Sequence, residues 1–373
     1  MQRFHSHESR NDCIAVRILL SNSGRGLKTD AELLRGILEE YGCHVEVCIT
    51  PAWSERKTVW SHKYARLKSL LPSLCSRFLD SLQVNILGLT KSRTQLQIHL
   101  ESIAVEYLAC SKVNWLIPNQ EWMRTQHLCF LRYITSVLCK TKEAQLAIQP
   151  YHQDASLVGF SNPLLNKLPT VGECKNRMRQ FLHVAGTNRK KGTRSVVAAW
   201  RKHPEWPRLN VVIDNTSAIE PLPHNVKVWQ RPDDATLTHL RLQCGIVVAP
   251  SEVEGYGHIF VEAMAFNQLV LATDAAPMNE VVQAQRGYLI PWQKKQICHL
   301  GMRYFVSIKA IEDTVTDVLK APVDMLLQKA RNGRYWSIKN HHAFVSEITD
   351  RIDKLRGYEL FASALNKPSF TKH

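Results

Sequence analysis

Two glutamates, Glu254 and Glu262, stand with seven residues between them in Pro250–Met264, PSEVEGYGHIFVEAM. Gly255 and Gly257 follow the first. Ahead of this stretch, Gly245–Ala249 is a short apolar run of strand type. Behind it, His258–Phe266 reads as a helix with Ile259, Phe260, Ala263 and Met264 on one side. The unit is therefore strand, glycine loop, helix. Such a loop lets backbone N–H groups approach an anion closely, and the helix dipole favours negative charge there. Glu254 falls in the loop and Glu262 in the second helical turn, so the two carboxylates flank whatever the loop holds. Carboxylates accept hydrogen bonds from hydroxyls, and a phosphate with sugars on both sides suits this layout.

A second cluster lies upstream. Phe181–Ala185 reads as a strand, Gly186–Thr193 (GTNRKKGT) as a loop, and the residues through Val196, Val197 and Trp200 as a helix ended by His203-Pro204. Arg189, Lys190 and Lys191 put three consecutive cations at that helix start, which makes a phosphate site on physical grounds. The competing reading is an exposed basic turn.

Together these stretches resemble the E-x7-E signature of retaining GT-B glycosyltransferases, particularly the large glycosyltransferase 4 family. The resemblance is sharp over Phe181–Ile290 and only architectural over the first 175 residues. It implies an α/β fold of two Rossmann-like, doubly wound parallel-sheet domains facing a cleft. It also implies sugar transfer from a UDP- or GDP-sugar with retention, hexosyl transfer being favoured. In that picture Lys191, just before Gly192, holds the donor diphosphate. The family's arginine sits nearer the first glycine, where this chain has Thr187 and Asn188, so Arg189 is the candidate for its role. Amides near Gly257 and His258 assist, Glu254 binds sugar hydroxyls beside the reacting carbon, and Glu262 holds the ribose. The neighbourhood of Trp229 meets the base, although Trp229 also reads as core packing. Gly26, with Gly24, stands where the family's first glycine loop faces the cleft; a plain tight turn is the equal alternative. His99 follows a strand where some members carry a transfer-site histidine, against the commoner structural histidine. Glu280 matches a glutamate below a proline turn, or is an ordinary helix N-terminal charge. No D-x-D metal motif stands out, so neither metal nor cofactor is expected beyond the nucleotide sugar as co-substrate.

The 373 residues suggest about two domains, and 45% hydrophobic with 22% charged is an ordinary globular composition. No apolar run approaches the length of a membrane span, and Met1–Cys13 has no apolar signal core. Ten cysteines without a C-x-x-C pair read as reduced thiols. A cytoplasmic protein is expected, peripheral on the inner membrane surface if it touches lipid. A net charge of +15 predicts an anionic partner: nucleotide-sugar phosphates, an anionic membrane surface or nucleic acid. Trp53–Leu82 interleaves Arg56, Lys57, Lys63, Arg66, Lys68 and Arg77 with aromatic and leucine residues. It is the main candidate for acceptor, membrane or nucleic-acid contact, against the blander reading of a solvated helical face. Lipid, glycan, protein and modified DNA base stay open as acceptors, with an anionic one favoured. Two other function classes stay open: a non-catalytic nucleic-acid or membrane-binding protein on the same scaffold, and a nucleotide-sugar epimerase.

The elements needed to position these groups follow the α/β pattern. Ile14–Leu20 reads as a strand, Ser21–Lys28 as a loop, and Thr29 with Glu32 as a capping box opening a helix that Gly42 ends. His44–Ile49, Val84–Leu89 and Val137–Thr141 read as strands, as does the start of Asn114–Trp122. Tyr151–Lys175 lacks any sustained pattern and is taken as the linker. Residues 1–165 are then the acceptor-side domain and 166–345 the nucleotide-sugar domain. Residues 346–373 are a helix crossing back, with a loose tail. Beyond Ala310 the pattern predicts helices over Ile311–Leu319, Val323–Arg331 and Ile338–Leu355.

Overall fold

Short leucine- and valine-rich runs form two six-stranded sheets, in the order β2-β1-β3-β4-β5-β6 and β12-β11-β10-β7-β8-β9. The computed structural model describes residues 13–22, 24–50, 73–171, 175–217 and 219–365. In the first sheet β1 is Ala15–Ser21, β2 His44–Thr50, β3 Leu96–Glu101, β4 Val113–Pro118, β5 Ser136–Cys139 and β6 Ala155–Leu157. The second contains β7 (Phe181–Gly186), β8 (Leu209–Ile213), β9 (Val226–Gln230), β10 (Ile246–Ala249), β11 (Leu269–Thr273) and β12 (Gly287–Ile290). All its pairings are parallel. Strands β8, β10 and β11 are buried along their whole length, as continuous apolar strands covered on both faces should be. The fold expectation, an α/β protein with two Rossmann-like parallel sheets, is met.

By proximity the described chain falls into two units. The first comprises residues up to Leu116, Cys129–Ser136 and the residues from Ala343 onward. The second comprises Ile117–Leu128 and Val137–His342.

In the first unit, helix α1 is Arg25–Glu40, with Leu33, Leu34, Ile37 and Leu38 buried against the sheet. It begins four residues before the expected capping box. Thr29 sits inside it and its hydroxyl donates to the Arg25 carbonyl. Gly24 is the N-cap instead, at φ 118°, a conformation that glycine adopts without strain. Gly42, at φ 79°, follows the helix end as expected. Val84–Leu89 is not a strand: helix α2 spans Ser73–Gly88. Only Asp80 and Val84 of its central turns are buried, one helical turn apart, and Arg132 pairs with Asp80 at 3.1 Å. A short apolar run does not distinguish strand from helix by periodicity alone. Residues 53–72 of the basic stretch lie outside the described residues, and 73–82 open α2. The far end of the last helix also belongs to this unit. Arg356 donates to the Tyr41 carbonyl at 2.8 Å, and Tyr41 bonds Asp353 at 2.5 Å.

In the second unit, helices α3 (Lys142–Ile148), α4 (Thr193–Lys202), α5 (Asp234–Gln243), α6 (His258–Ala265), α7 (Met278–Val281) and α8 (Ile308–Lys320) connect the strands. The core sets Trp200, Phe181 and Trp206 against Val211, Val248, Leu271 and Ile311. Tyr151–Lys175 is not a bare linker. It contains β6, paired with β5, and Phe160, Ser161 and Asn162 are essentially fully buried. An antiparallel hairpin that the sequence pattern did not disclose follows β12: β13 (Trp292–Cys298) and β14 (Gly301–Val306). The helices expected at Val323–Arg331 and Ile338–Leu355 are one helix, α9, Val323–Leu365. Gly333 lies between them, and a Cβ there would stand 3.1 Å from Met264 Cγ, so the missing side chain permits close packing on α6 rather than breaking the helix.

Candidate active site

The basic turn and the acidic loop meet. The Lys191 ammonium pairs with the Glu254 carboxylate, and both side chains are largely buried. The Glu252 amide donates to the Lys190 carbonyl at 2.8 Å, bonding one loop to the other through the backbone. Gly192 is in the left-handed region (φ 72°), and a Cβ there would stand 2.5 Å from the Pro250 carbonyl oxygen. Only glycine lets the turn carrying Lys191 come this close to the loop carrying Glu254. Arg189 shares the turn and is exposed.

Beyond Glu254 the chain turns through Gly255-Tyr256-Gly257 into α6. Gly257 is the N-cap at φ 98°, and a Cβ there would collide with the Phe260 ring. The first amides of α6 therefore face the loop without a side-chain cap, the arrangement that accommodates an anion. Tyr256 anchors the loop, its hydroxyl donating to the Phe160 carbonyl at 2.7 Å. On α6, Glu262 pairs with Arg241 and accepts from Asn162 Nδ2 at 3.4 Å. Asn162 Nδ2 also donates to His258 Nδ1 at 3.0 Å, which puts the ring proton of neutral His258 on Nε2. Arg177 holds the frame beneath, its Nη2 donating to the carbonyls of Arg241, Cys244 and Phe266 at 3.0–3.1 Å. These are the C-terminal ends of α5 and α6, where a cation complements the helix dipole.

His183 on β7 completes the support. Its Nδ1 donates to the Val248 carbonyl at 2.7 Å and its Nε2 accepts from the Thr193 hydroxyl at 2.9 Å, tying β10 to the first residue of α4. Burial pushes the His183 imidazole down to about 4. His99, on β3, has likewise been pushed down to about 4 by burial. The unfolded chain protonates these rings near 6.5, whereas the folded chain resists until about 4. The unfolded state thus binds more protons in that window, and stability falls as pH drops through it. The loss is on the order of 3 kcal/mol per ring at most. Urea unfolding midpoints at pH 7 and 4.5 are expected to differ markedly in the parent and less in His183→Gln. Equal pH dependence in both would reject neutral burial of His183.

The remaining sequence candidates stand on other elements. Trp229 is on β9, the edge strand, its Nε1 donating to Asn210 Oδ1 at 3.0 Å and Lys227 resting 4.0 Å from its ring centroid. Glu280 caps α3, accepting from the Lys142 and Glu143 amides at 2.6 and 2.9 Å. Gly26 and His99 belong to the first unit. Gly26 lies in the first turn of α1, not in the loop before it, because the helix starts at Arg25. His99 is fully buried: Nδ1 accepts from the Ala104 amide at 3.1 Å and Nε2 faces Asn114 Oδ1 at 3.3 Å. Both ring nitrogens are thereby engaged inside the first unit. Sequence reasoning missed Arg241 and Asn162, the partners of Glu262. It also missed Gln120, whose Nε2 reaches the Glu254 carbonyl at 3.5 Å. They come from a helix end, a patternless segment and a turn, with no spacing to betray them.

Residues 173–309 match the family described as Glycosyl transferases group 1. That range holds the basic turn, both glutamates and Arg241. The match covers little more than a third of the chain, and that stretch is similar to group 1 glycosyl transferases. No curated protein matches the chain by sequence. Among solved structures, a glycosyltransferase from Rickettsia africae ESF-5 aligns with a TM-score of 0.62 at 12% identity, over 92% of this chain and 98% of that one. Sucrose-phosphate synthase from Thermosynechococcus elongatus gives 0.60 at 13%, over 94% and 100%. WaaG, a glycosyltransferase involved in lipopolysaccharide biosynthesis, gives 0.57 at 14%, over 91% and 99%. At such identities the likeness is one of fold, the α/β fold of GT-B glycosyltransferases. Among the described residues no helix is long and apolar enough to cross a membrane.

Proposed function

We propose that the protein is a retaining, metal-independent glycosyltransferase that moves a hexosyl group from a UDP- or GDP-sugar to an acceptor in the cytoplasm. The observation that carries this reading is the joining of the cationic turn to the acidic loop, through the Lys191–Glu254 pair and the Glu252–Lys190 backbone bond. On this reading Lys191 and Arg189 take the donor diphosphate, and the amides at Gly257 and His258 share it. Negative charge grows on that diphosphate as the glycosidic bond breaks, so positive charge placed there lowers the barrier. The sugar passes through an oxocarbenium-like state. Glu254 accepts hydrogen bonds from the sugar hydroxyls beside the reacting carbon. The acceptor hydroxyl bonds the reacting carbon on the face from which the diphosphate leaves and passes its proton to the departing phosphate oxygen, which retains the configuration. Glu262, steadied by Arg241 and Asn162, accepts from the ribose hydroxyls.

A thermal-shift panel of UDP-, GDP- and ADP-sugars is expected to give one strongly stabilising donor, since a ligand that binds only the folded chain raises its melting point. Glu262→Ala is expected to weaken that donor about tenfold, the worth of a charge-assisted hydrogen bond, and to change saturated turnover less. No stabilising donor in the panel, or unchanged donor affinity in Glu262→Ala, would count against the reading.

A further inference from the structure

Beside the Lys191–Glu254 pair lies a second cluster of cations, which the reading above does not use. The tip of the β13–β14 hairpin docks on residues 120–122. The Leu300 amide donates to the Gln120 carbonyl at 3.1 Å, and Cys298 Sγ to the Glu121 carbonyl at 3.5 Å. Arg303 on β14 pairs with Glu252, and the Tyr304 amide donates to the Glu252 carbonyl at 2.7 Å. The hairpin is thus fastened to both the segment after β4 and the acidic loop. This fastening gathers Trp122, Arg124, Lys190 and His299. Lys190 Nζ stands 4.3 Å from the Trp122 ring centroid and 3.9 Å from Cys298 Sγ. The indole is 45% exposed, enough to offer an apolar surface to a ligand. His299 is at the hairpin tip, where burial and then the charges of Arg124 and Lys190 hold its imidazole below its ordinary value.

The nearby carboxylates are committed elsewhere. Glu252 pairs with Arg303, Glu254 with Lys191, and Glu121 is buried against Gly255. Among the described residues no carboxylate pairs with Arg124, Lys190 or His299. Arg124 and Lys190 are thus cations without a paired counter-charge, and an anion relieves their repulsion, which also disfavours charge on His299. The cluster also borders the reacting centre: Lys190 precedes Lys191 in the same turn, and Gln120, two residues before Trp122, reaches the Glu254 carbonyl.

We infer that Trp122, Arg124, Lys190 and His299 form an acceptor subsite for a sugar that carries an anionic group, a phosphate or a carboxylate. The sugar ring lies on the indole, as apolar sugar faces do on aromatic rings, and the anion is held by Arg124, Lys190 and His299. This rests on the glycosyltransferase reading for its role, but its test does not need turnover.

The test is calorimetric titration with glucose, glucose 6-phosphate, glucuronate and a dT oligonucleotide, with UDP and GDP titrated separately. At least one sugar acid is expected to bind about tenfold more tightly than glucose, and Arg124→Ala and His299→Gln to reduce that preference severalfold. Trp122→Ala is expected to weaken glucose and the sugar acids alike. Nucleoside diphosphate affinity is expected to be unchanged in all three variants. Which sugar acid gains more identifies the anion as phosphate or carboxylate. Equal affinities for glucose and both sugar acids would overturn the inference, as would variants without effect. So would a dT oligonucleotide held more tightly than either sugar acid and weakened by the same variants. If neither UDP nor GDP binds the parent while the sugar-acid preference survives, the donor reading fails and the subsite stands.

Discussion

Glu254→Gln is expected to turn over a hundredfold or more slowly than the parent, yet to bind a free nucleoside diphosphate more tightly. The two effects have one origin. Lys191 is paired with Glu254, and both side chains are more than four-fifths buried. A diphosphate that takes Lys191 must compete with that carboxylate. Glutamine keeps the shape and removes the charge, so Lys191 is released to the phosphate, with an expected gain of about tenfold in affinity. The transferred sugar, however, loses a charged acceptor beside its reacting carbon. Removing one preorganised electrostatic contact of that kind costs roughly 10²–10³ in turnover. Calorimetry with UDP and GDP, beside initial rates with the donor found by thermal shift, measures both. Weaker diphosphate binding in Glu254→Gln would show that the pair is not a competition. Unchanged turnover would remove Glu254 from the reacting centre.

Lys191→Ala is expected to weaken nucleoside diphosphate binding by about 10- to 100-fold, the range for a charge-assisted hydrogen bond to an anion. It should also lower the melting temperature, because the Glu254 carboxylate would be left without its partner while 12% exposed. Breaking a buried pair from one side costs more than replacing both partners, and here the partial exposure moderates the cost. The paired change Lys191→Met with Glu254→Leu should therefore recover much of the stability and none of the binding. Lys191→Arg should recover part of the binding. Wild-type diphosphate affinity in Lys191→Ala would place the diphosphate elsewhere. Loss of binding that tracks melting temperature across all three variants would reduce Lys191 to a structural role.

Some of this was legible in the residues. Glu254, Gly257 and Glu262 lie within one short strand–loop–helix unit, and Arg189, Lys190 and Lys191 within another. Local spacing fixes which face of a turn or helix a side chain occupies, so both halves of the site could be read separately. The parallel sheets were equally plain, since strands buried on both faces are uninterrupted apolar runs. Less legible was α2, whose apolar residues are mostly exposed and imitate a strand. The two helices expected at Val323–Arg331 and Ile338–Leu355 are continuous through Gly333, which packs closely on Met264.

Residue types and spacing alone established an α/β chain with two anion-suited turns, one cationic and one flanked by carboxylates. Only the tertiary structure decided that Lys191 pairs with Glu254, that Arg241 and Asn162 hold Glu262, and that a hairpin carries His299 to Trp122. It also buried His99 and engaged both of its ring nitrogens. The reason is physical: those contacts join residues distant along the chain, set by how strands and loops pack, and no local period records them.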